Sequence, residues 1–168
     1  PVTEVAPLIA SIDFARFGRA PARFDEEELA LLNAKIIHQL PYATVAERLP
    51  LAISAAAWDA IRPNLATVAE SGEWADVLAT GFPPPAAAPD DADLLRAAAD
   101  LLPGLNWAAD PWHTLTGALK DATGRKGRAL FMPLRLALTG RDHGPDMAAL
   151  LPLIGQEEAV RRLRVAAN

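Results

Sequence analysis

No cysteine occurs in the 168 residues. That excludes a disulfide framework, a thiolate metal site and a cysteine nucleophile. No apolar run reaches the roughly 18 residues that a membrane helix needs. No basic-then-apolar leader opens the chain. No stretch alternates apolar and polar residues over a strand's length, and no internal repeat is visible. The phosphate-cradling GxxxxGK(S/T) is missing, as is a GxGxxG that follows a strand. The three histidines, His38, His113 and His143, lie in separate segments without HExxH spacing. They read as structural or surface residues, so no metal site is expected. No Ser/His/Asp arrangement can be argued, so no catalytic residue is expected either. These absences fit a cytoplasmic protein. The chain starts at Pro1 without a Met, which leads us to expect a piece of something longer.

What is present is a globular composition. Hydrophobic residues make up 51% and charged residues 22%, which separates the chain from disordered sequences. Its length can bury a core in one domain or two small ones. The net charge of −5 hides an asymmetry. Residues 115–168 hold nine Lys/Arg against five Asp/Glu, and residues 1–114 hold seven against sixteen. A basic last third can bind a polyanion locally. Charge alone favours the plainer reading, a solvated helical surface.

Helical signals dominate. Asp25-Glu-Glu-Glu opens a segment through Leu29, Leu32, Ile36 and Leu40, with acids where the helix dipole favours them, and Pro41 ends it. Thr44 and Glu47 have capping-box spacing for a short helix over 44–49. Ser54 caps the next, which holds Trp58 and Ile61 and stops before Pro63. Segments 64–69 and 73–80 read as further short helices. Gly81-Phe-Pro-Pro-Pro-Ala-Ala-Ala-Pro cannot continue a helix and marks a boundary. Helices are then expected over 90–102, over 112–122 behind Asp110-Pro111, and over 130–138, 146–154 and 156–165. The sequence thus predicts an all-α bundle of short helices in two subdomains. These are 1–81 and 91–168, joined by a Pro-rich linker at 82–90 that serves as a hinge.

Residues 124–145 carry the most information. A basic, glycine-rich turn, Gly124-Arg-Lys-Gly-Arg, leads into an apolar segment holding Phe131, Met132, Leu134, Leu136 and Leu138 around one arginine, Arg135. Burying an unpaired guanidinium is costly. The combination predicts a core helix whose arginine reaches out to an anionic ligand. The basic pentapeptide has the chemistry of a phosphate contact. Asp25–Glu28 and Asp90, Asp91 and Asp93 sit at helix starts, where acids are expected without any cation. Trp58, Trp74, Trp107 and Trp112 have rings able to stack on bases, but their helical spacing among Leu and Ala reads as core.

Three segments carry a resemblance. Phe17-Gly-Arg-Ala-Pro-Ala-Arg-Phe-Asp-Glu-Glu-Glu-Leu-Ala-Leu-Leu-Asn33 resembles the "FD..KL..LN" segment of bacterial glutamyl-tRNA synthetases. Ile61-Arg-Pro-Asn-Leu65 is similar to a later "RP" helix of those enzymes. Gly127-Arg-Ala-Leu-Phe-Met-Pro-Leu-Arg-Leu-Ala-Leu-Thr-Gly140, with Gly144-Pro145 and 150–155, resembles their C-terminal "KGK.LF.PLR.ALTG" signature. The order and spacing match over nearly the whole chain. The resemblance implies the helical anticodon-binding half of a class I aminoacyl-tRNA synthetase, a monomer that binds glutamate tRNA. Catalysis, with ATP and Mg, would belong to a nucleotide-binding domain outside this chain. Its HIGH and KMSKS signatures are absent here, so this chain should bind tRNA and should not aminoacylate. A helical protein-interaction domain without RNA binding is the alternative.

The resemblance also implies site residues. Arg135 matches the arginine of "PLR", which looks toward the anticodon, where a guanidinium can stack on or pair with a base. Gly144 and Pro145 match a turn lying near anticodon bases, and Thr139 with Gly140 ends the helix that delivers it. Lys126, Arg128 and Arg141 are expected phosphate contacts. Arg62 belongs to the "RP" segment. Two residues on, some family members place an arginine that reads the last anticodon base. Asn64 stands there instead, shorter and uncharged, which implies relaxed rejection of glutamine tRNA.

Overall fold

The computed structural model describes residues 4–16, 18 and 25–168. The Phe17–Asn33 resemblance therefore lies partly outside the described residues. Among those described, helices and turns make up the whole fold and no strand occurs. In chain order the α-helices are α1 (Val5–Ala10), α2 (Glu26–Ile37), α3 (Tyr42–Val45), α4 (Ala55–Ile61), α5 (Ser71–Leu78), α6 (Ala92–Leu101), α7 (Pro111–Thr123), α8 (Arg128–Thr139), α9 (Met147–Ile154) and α10 (Gln156–Ala166). None is long and apolar enough to cross a membrane. The fold is all-α, as the sequence predicts.

Local chemistry sets most boundaries. Asp25 accepts hydrogen bonds from the Glu27 and Glu28 amides, Ser54 from Ala57, Asp110 from His113 and Asp146 from Ala148. Each satisfies a backbone donor that a helix start leaves orphaned. Two expectations fail. Thr44 does not cap a helix over 44–49. Pro41, with its fixed φ, starts α3 at Tyr42, and the chain tightens into a 3-10 turn at Ala46–Arg48. Segment 64–69 is not a helix either. Leu65 is extended and buried, and the Glu70 carboxylate accepts from the Ala66 amide at 2.8 Å, replacing a helical partner.

α8 contains Pro133. A proline there cannot donate to the carbonyl four residues back. That carbonyl, on Ala129, accepts from Arg125 Nη1 at 3.3 Å. Arg125 also pairs with Asp91 at 2.5 Å and donates to the Asp90 carbonyl. Asp93 pairs with Arg96 at 2.6 Å. Asp91 therefore joins the start of α6 to the chain before α8 through Arg125, while the Asp93 pair stays within α6.

One apolar cluster runs through residues on both sides of 82–90, from Trp58, Ile61 and Trp74 to Leu95, Leu119, Leu134, Leu150 and Leu163. The Pro-rich segment 82–90 lies against α10. Ala87 N donates to Ala166 O at 2.8 Å, and Arg161 Nη2 donates to Phe82 O at 2.5 Å. Exposed large apolar side chains concentrate instead before residue 52, among them Val5, Leu8 and Ile9 on α1 and Leu29, Leu31 and Leu32 on α2.

A buried ionic staple joins α10 to the end of α5 and the end of α8. Arg162 is 0% exposed. Its Nε donates to Glu158 Oε1 at 2.7 Å, Nη1 to the Leu138 carbonyl at 2.6 Å and Nη2 to the Ala79 carbonyl at 2.8 Å. The Phe82 ring lies 4.8 Å from its guanidinium carbon. Hydrogen bonds from Arg161, and then from Arg162 and the Gly81 amide, outweigh burial and hold the Glu158 carboxyl down, from 4.5 to about 2. A carboxylate with a depressed folded pKa adds stability above its unfolded pKa and loses it as pH falls through the folded one. The loss should run from about pH 4.5 down to about pH 2 and be on the order of 3 kcal/mol. Denaturant midpoints across that window test this. Glu158→Gln should flatten the slope there, and an equally steep slope in that variant would remove Glu158 as its source.

Candidate functional site

The turn after α8 collects most of the residues singled out in the sequence. α8 ends at Thr139, and Gly140 caps it with φ +68. Buried Thr139 donates through Oγ1 to the Arg135 carbonyl at 2.8 Å and accepts from the Arg141 amide at 3.2 Å. The hydroxyl thus links the last turn of the helix to the chain leaving it. Gly144 has φ +129, and Pro145 behind it is buried. Asp146 then caps α9.

Arg135 does not reach outward. Its Nη2 donates to the Pro145 carbonyl at 2.9 Å. Its Nη1 has almost no accessible surface and no hydrogen-bond partner among the described residues. Burial pushes the guanidinium below its ordinary pKa, and the Asp146 carboxylate opposes that shift. Arginine stays protonated across such shifts. The helix therefore uses Arg135 to hold the Gly144-Pro145 turn in place.

The underside of the turn rests on α5. A Cβ on Gly144 would lie 2.6 Å from Trp74 Cη2 and 2.7 Å from Cζ2, so the backbone sits directly on the indole. Arg141 lies 5.2 Å over the same ring and pairs with Glu73 at 2.7 Å. A Cβ on Gly140 would meet Phe82 Cζ at 2.9 Å. Beside the turn opens a hollow of about 760 Å³, lined by Glu73, Asp76, Phe82, Met132, Arg128, Arg141 and His143 among others. That volume is within the range of small-molecule pockets, roughly 300–1,000 Å³.

Charge is distributed more sparingly than the count implies. Of the nine cations in 115–168, Arg125, Arg135, Arg141, Arg161, Arg162 and Arg164 are engaged with carboxylates or carbonyls. Lys120, Lys126 and Arg128 are exposed, and among the described residues their side chains make no hydrogen bond or ion pair. Lys126 and Arg128 flank Gly127 at the start of α8, and Arg128 lines the hollow beside the turn. There the His143 hydrogen bond holds the Asp142 carboxyl below its ordinary value, and the Arg128 charge helps.

Arg62 and Asn64 lie elsewhere. Arg62 donates to the Leu40 carbonyl at 2.8 Å and pairs with Asp59 at 3.2 Å. Asn64 is exposed at the end of the 3-10 turn Arg62–Asn64, and no hydrogen bond joins it to the 139–145 turn. The histidines have local partners. His38 Nε2 donates to the Leu65 carbonyl, His113 pairs with Asp110 and His143 with Asp142. Trp58, Trp74 and Trp112 are buried, as their spacing predicts, and Trp107 is half-buried. What sequence reasoning missed is that Trp74 is the part of the core on which the turn rests.

Residues 25–167 match the family described as an anticodon binding domain. The chain is 64% identical over 166 residues to glutamate–tRNA ligase 2 of Sphingopyxis alaskensis, covering 99% of this chain and 38% of that protein. It is 59% identical over 168 residues to glutamate–tRNA ligase 1 of Rhizorhabdus wittichii, covering 100% and 38%. The chain thus spans about 38% of the length of these curated relatives. Its fold also matches a crystal structure of a glutamate tRNA ligase from Elizabethkingia meningosepticum in complex with its amino acid. There the TM-score is 0.78 at 21% identity, over 96% of this chain and 36% of that one.

Proposed function

Because the chain belongs to the anticodon binding domain family, we propose that it is the tRNA-holding part of a glutamate–tRNA ligase and reads the anticodon at the 139–145 turn. The observation that carries this reading is the convergence of Arg135, Thr139, Gly140 and Gly144 on one rigid turn beside an open hollow. A backbone turn can discriminate bases by its donors, acceptors and shape once the bases are unstacked. Lys126 and Arg128, exposed and without a hydrogen bond or ion pair among the described residues, are the cations for the RNA backbone, since phosphate contacts position the nucleic acid without reading it. The ligase reaction, with ATP and Mg, belongs to the remainder of the longer protein. The division into 1–81, the Pro-rich 82–90 and 91–168 is part of the same proposal, as are a monomeric state and a cytoplasmic site of action.

Binding of the full-length ligase to glutamate tRNA, glutamine tRNA and a glutamate tRNA of altered anticodon, across a salt series, tests the reading. Salt-dependent binding that weakens with the altered anticodon is expected. Equal affinity for the normal and altered anticodons would remove the anticodon from the function. Arg135→Ala should weaken binding of the normal tRNA by about 1–3 kcal/mol, because the turn loses its carbonyl anchor. Lys126→Ala should weaken every tRNA alike and reduce the salt slope by roughly one unit or less. A selective loss in Lys126→Ala would contradict its role as a phosphate contact.

Asn64 bears on selectivity. Its amide has both a donor and an acceptor and no charge, which supports acceptance of glutamine tRNA alongside glutamate tRNA. Similar kcat/KM on the two is the expected result. Rejection of glutamine tRNA by roughly 10³-fold or more, a level reached only where a site strongly prefers one substrate, would count against it.

A further inference from the structure

We infer that Trp74, with Glu73 beside it, is the positioning residue that sets the height and rigidity of the 140–145 turn, and so fixes anticodon specificity from outside the turn itself. The inference rests on the proposed anticodon reading at that turn. The indole is 5% exposed, and its benzo edge lies under Gly144, closer than any side chain could approach. A flat aromatic plate in a packed interior yields little, because its neighbours interdigitate at near-crystalline density. The turn above it is held from the other side by the Arg135 bond to the Pro145 carbonyl. It is therefore fixed between an indole on α5 and a guanidinium on α8.

Glu73 adds a second restraint. Its carboxylate holds Arg141 at 2.7 Å while the guanidinium lies over the Trp74 ring. An arginine so placed is less available to the RNA backbone, where it would bind any sequence equally. The pair therefore immobilises the start of the turn and suppresses indiscriminate phosphate binding. Neither Trp74 nor Glu73 has to touch a base for this to work.

The test uses the full-length ligase and compares kcat/KM for glutamate tRNA with kcat/KM for the same tRNA carrying an altered middle anticodon base. Trp74→Phe removes the benzo edge beneath Gly144 and keeps an aromatic ring in the core. The normal tRNA should lose about tenfold to a hundredfold, the scale for a misplacement near 1 Å, while the altered tRNA stays nearly unchanged. A residue important only for stability would lower both together. Glu73→Gln leaves the core intact and serves if Trp74→Phe does not fold. It should steepen the salt slope by about one unit as Arg141 becomes free, and lower the discrimination ratio. A wild-type ratio in the folded variants overturns the inference. A wild-type ligase that itself shows no discrimination overturns the anticodon reading instead, so the two failures are distinguishable.

Discussion

Arg162→Ala should destabilise the fold by about 3–5 kcal/mol, the range for breaking a buried ion pair from one side. Arg162 is 0% exposed and serves Glu158 and the carbonyls of Leu138 and Ala79 at once. Truncation leaves both carbonyls without this donor, and an unsatisfied buried group costs roughly 1–3 kcal/mol. It also empties the volume against Phe82, whose ring now stacks on the guanidinium. Arg162→Lys should recover only part of the loss, because an ammonium on a flexible stem cannot reproduce the planar fork. Arg161 is the comparison. It is 37% exposed, and besides sharing the carboxylate through two bonds it donates to the Phe82 carbonyl. Arg161→Ala should therefore cost less than Arg162→Ala, on the order of 1–2 kcal/mol with solvent screening. Chemical denaturation of the three variants decides the matter. Equal small losses at positions 161 and 162 would mean that the staple does not hold the bundle.

How much of this was legible in the sequence depends on distance along the chain. Asp25, Ser54, Asp110 and Asp146 each cap a helix through an amide two or three residues away, so four-residue chemistry sufficed to find the caps at Ser54 and Asp110 and to open the other two helices within a residue of Asp25 and Asp146. Thr44 failed because capping-box spacing competed with Pro41, which nucleates α3 earlier. Segment 64–69 failed because Glu70 offered a side-chain partner that a propensity argument does not weigh. The 139–145 turn was legible for the same reason as the caps, since its parts are contiguous.

The support of the turn was not legible. Arg141 and Glu73 are 68 residues apart, and nothing in a helix-forming stretch such as 71–78 marks Trp74 as the plate under a distant glycine. Arg135 shows the limit most clearly. A lone arginine in an apolar helix had to matter, but its direction depended on where the Pro145 carbonyl would lie. The charge count misled in the same way, because six of its nine cations are engaged with carboxylates or carbonyls of the fold and only Lys120, Lys126 and Arg128 make no hydrogen bond or ion pair among the described residues.

Gly144→Ala should cost the ligase about tenfold to a hundredfold in kcat/KM on its normal tRNA, the scale of a displacement near 1 Å. Two effects combine. The backbone has φ +129, a conformation that costs a residue with a Cβ on the order of 1–3 kcal/mol. The Cβ would also stand 2.6 Å from Trp74 Cη2, a separation that one of the two must abandon. The indole is buried among packed neighbours, so the exposed turn is the part that moves. It carries Pro145 off its bond to Arg135, which leaves a second guanidinium nitrogen unpartnered beside Nη1. Gly124→Ala separates strain from contact. Gly124 has φ +68 and open space where a Cβ would sit, so that variant should show only a stability loss of about 1 kcal/mol from the left-handed cap, with normal tRNA selectivity. If Gly144→Ala proves as mild as Gly124→Ala on the normal tRNA, the turn does not depend on its close seat against the indole, and anticodon reading must be sought elsewhere on the bundle.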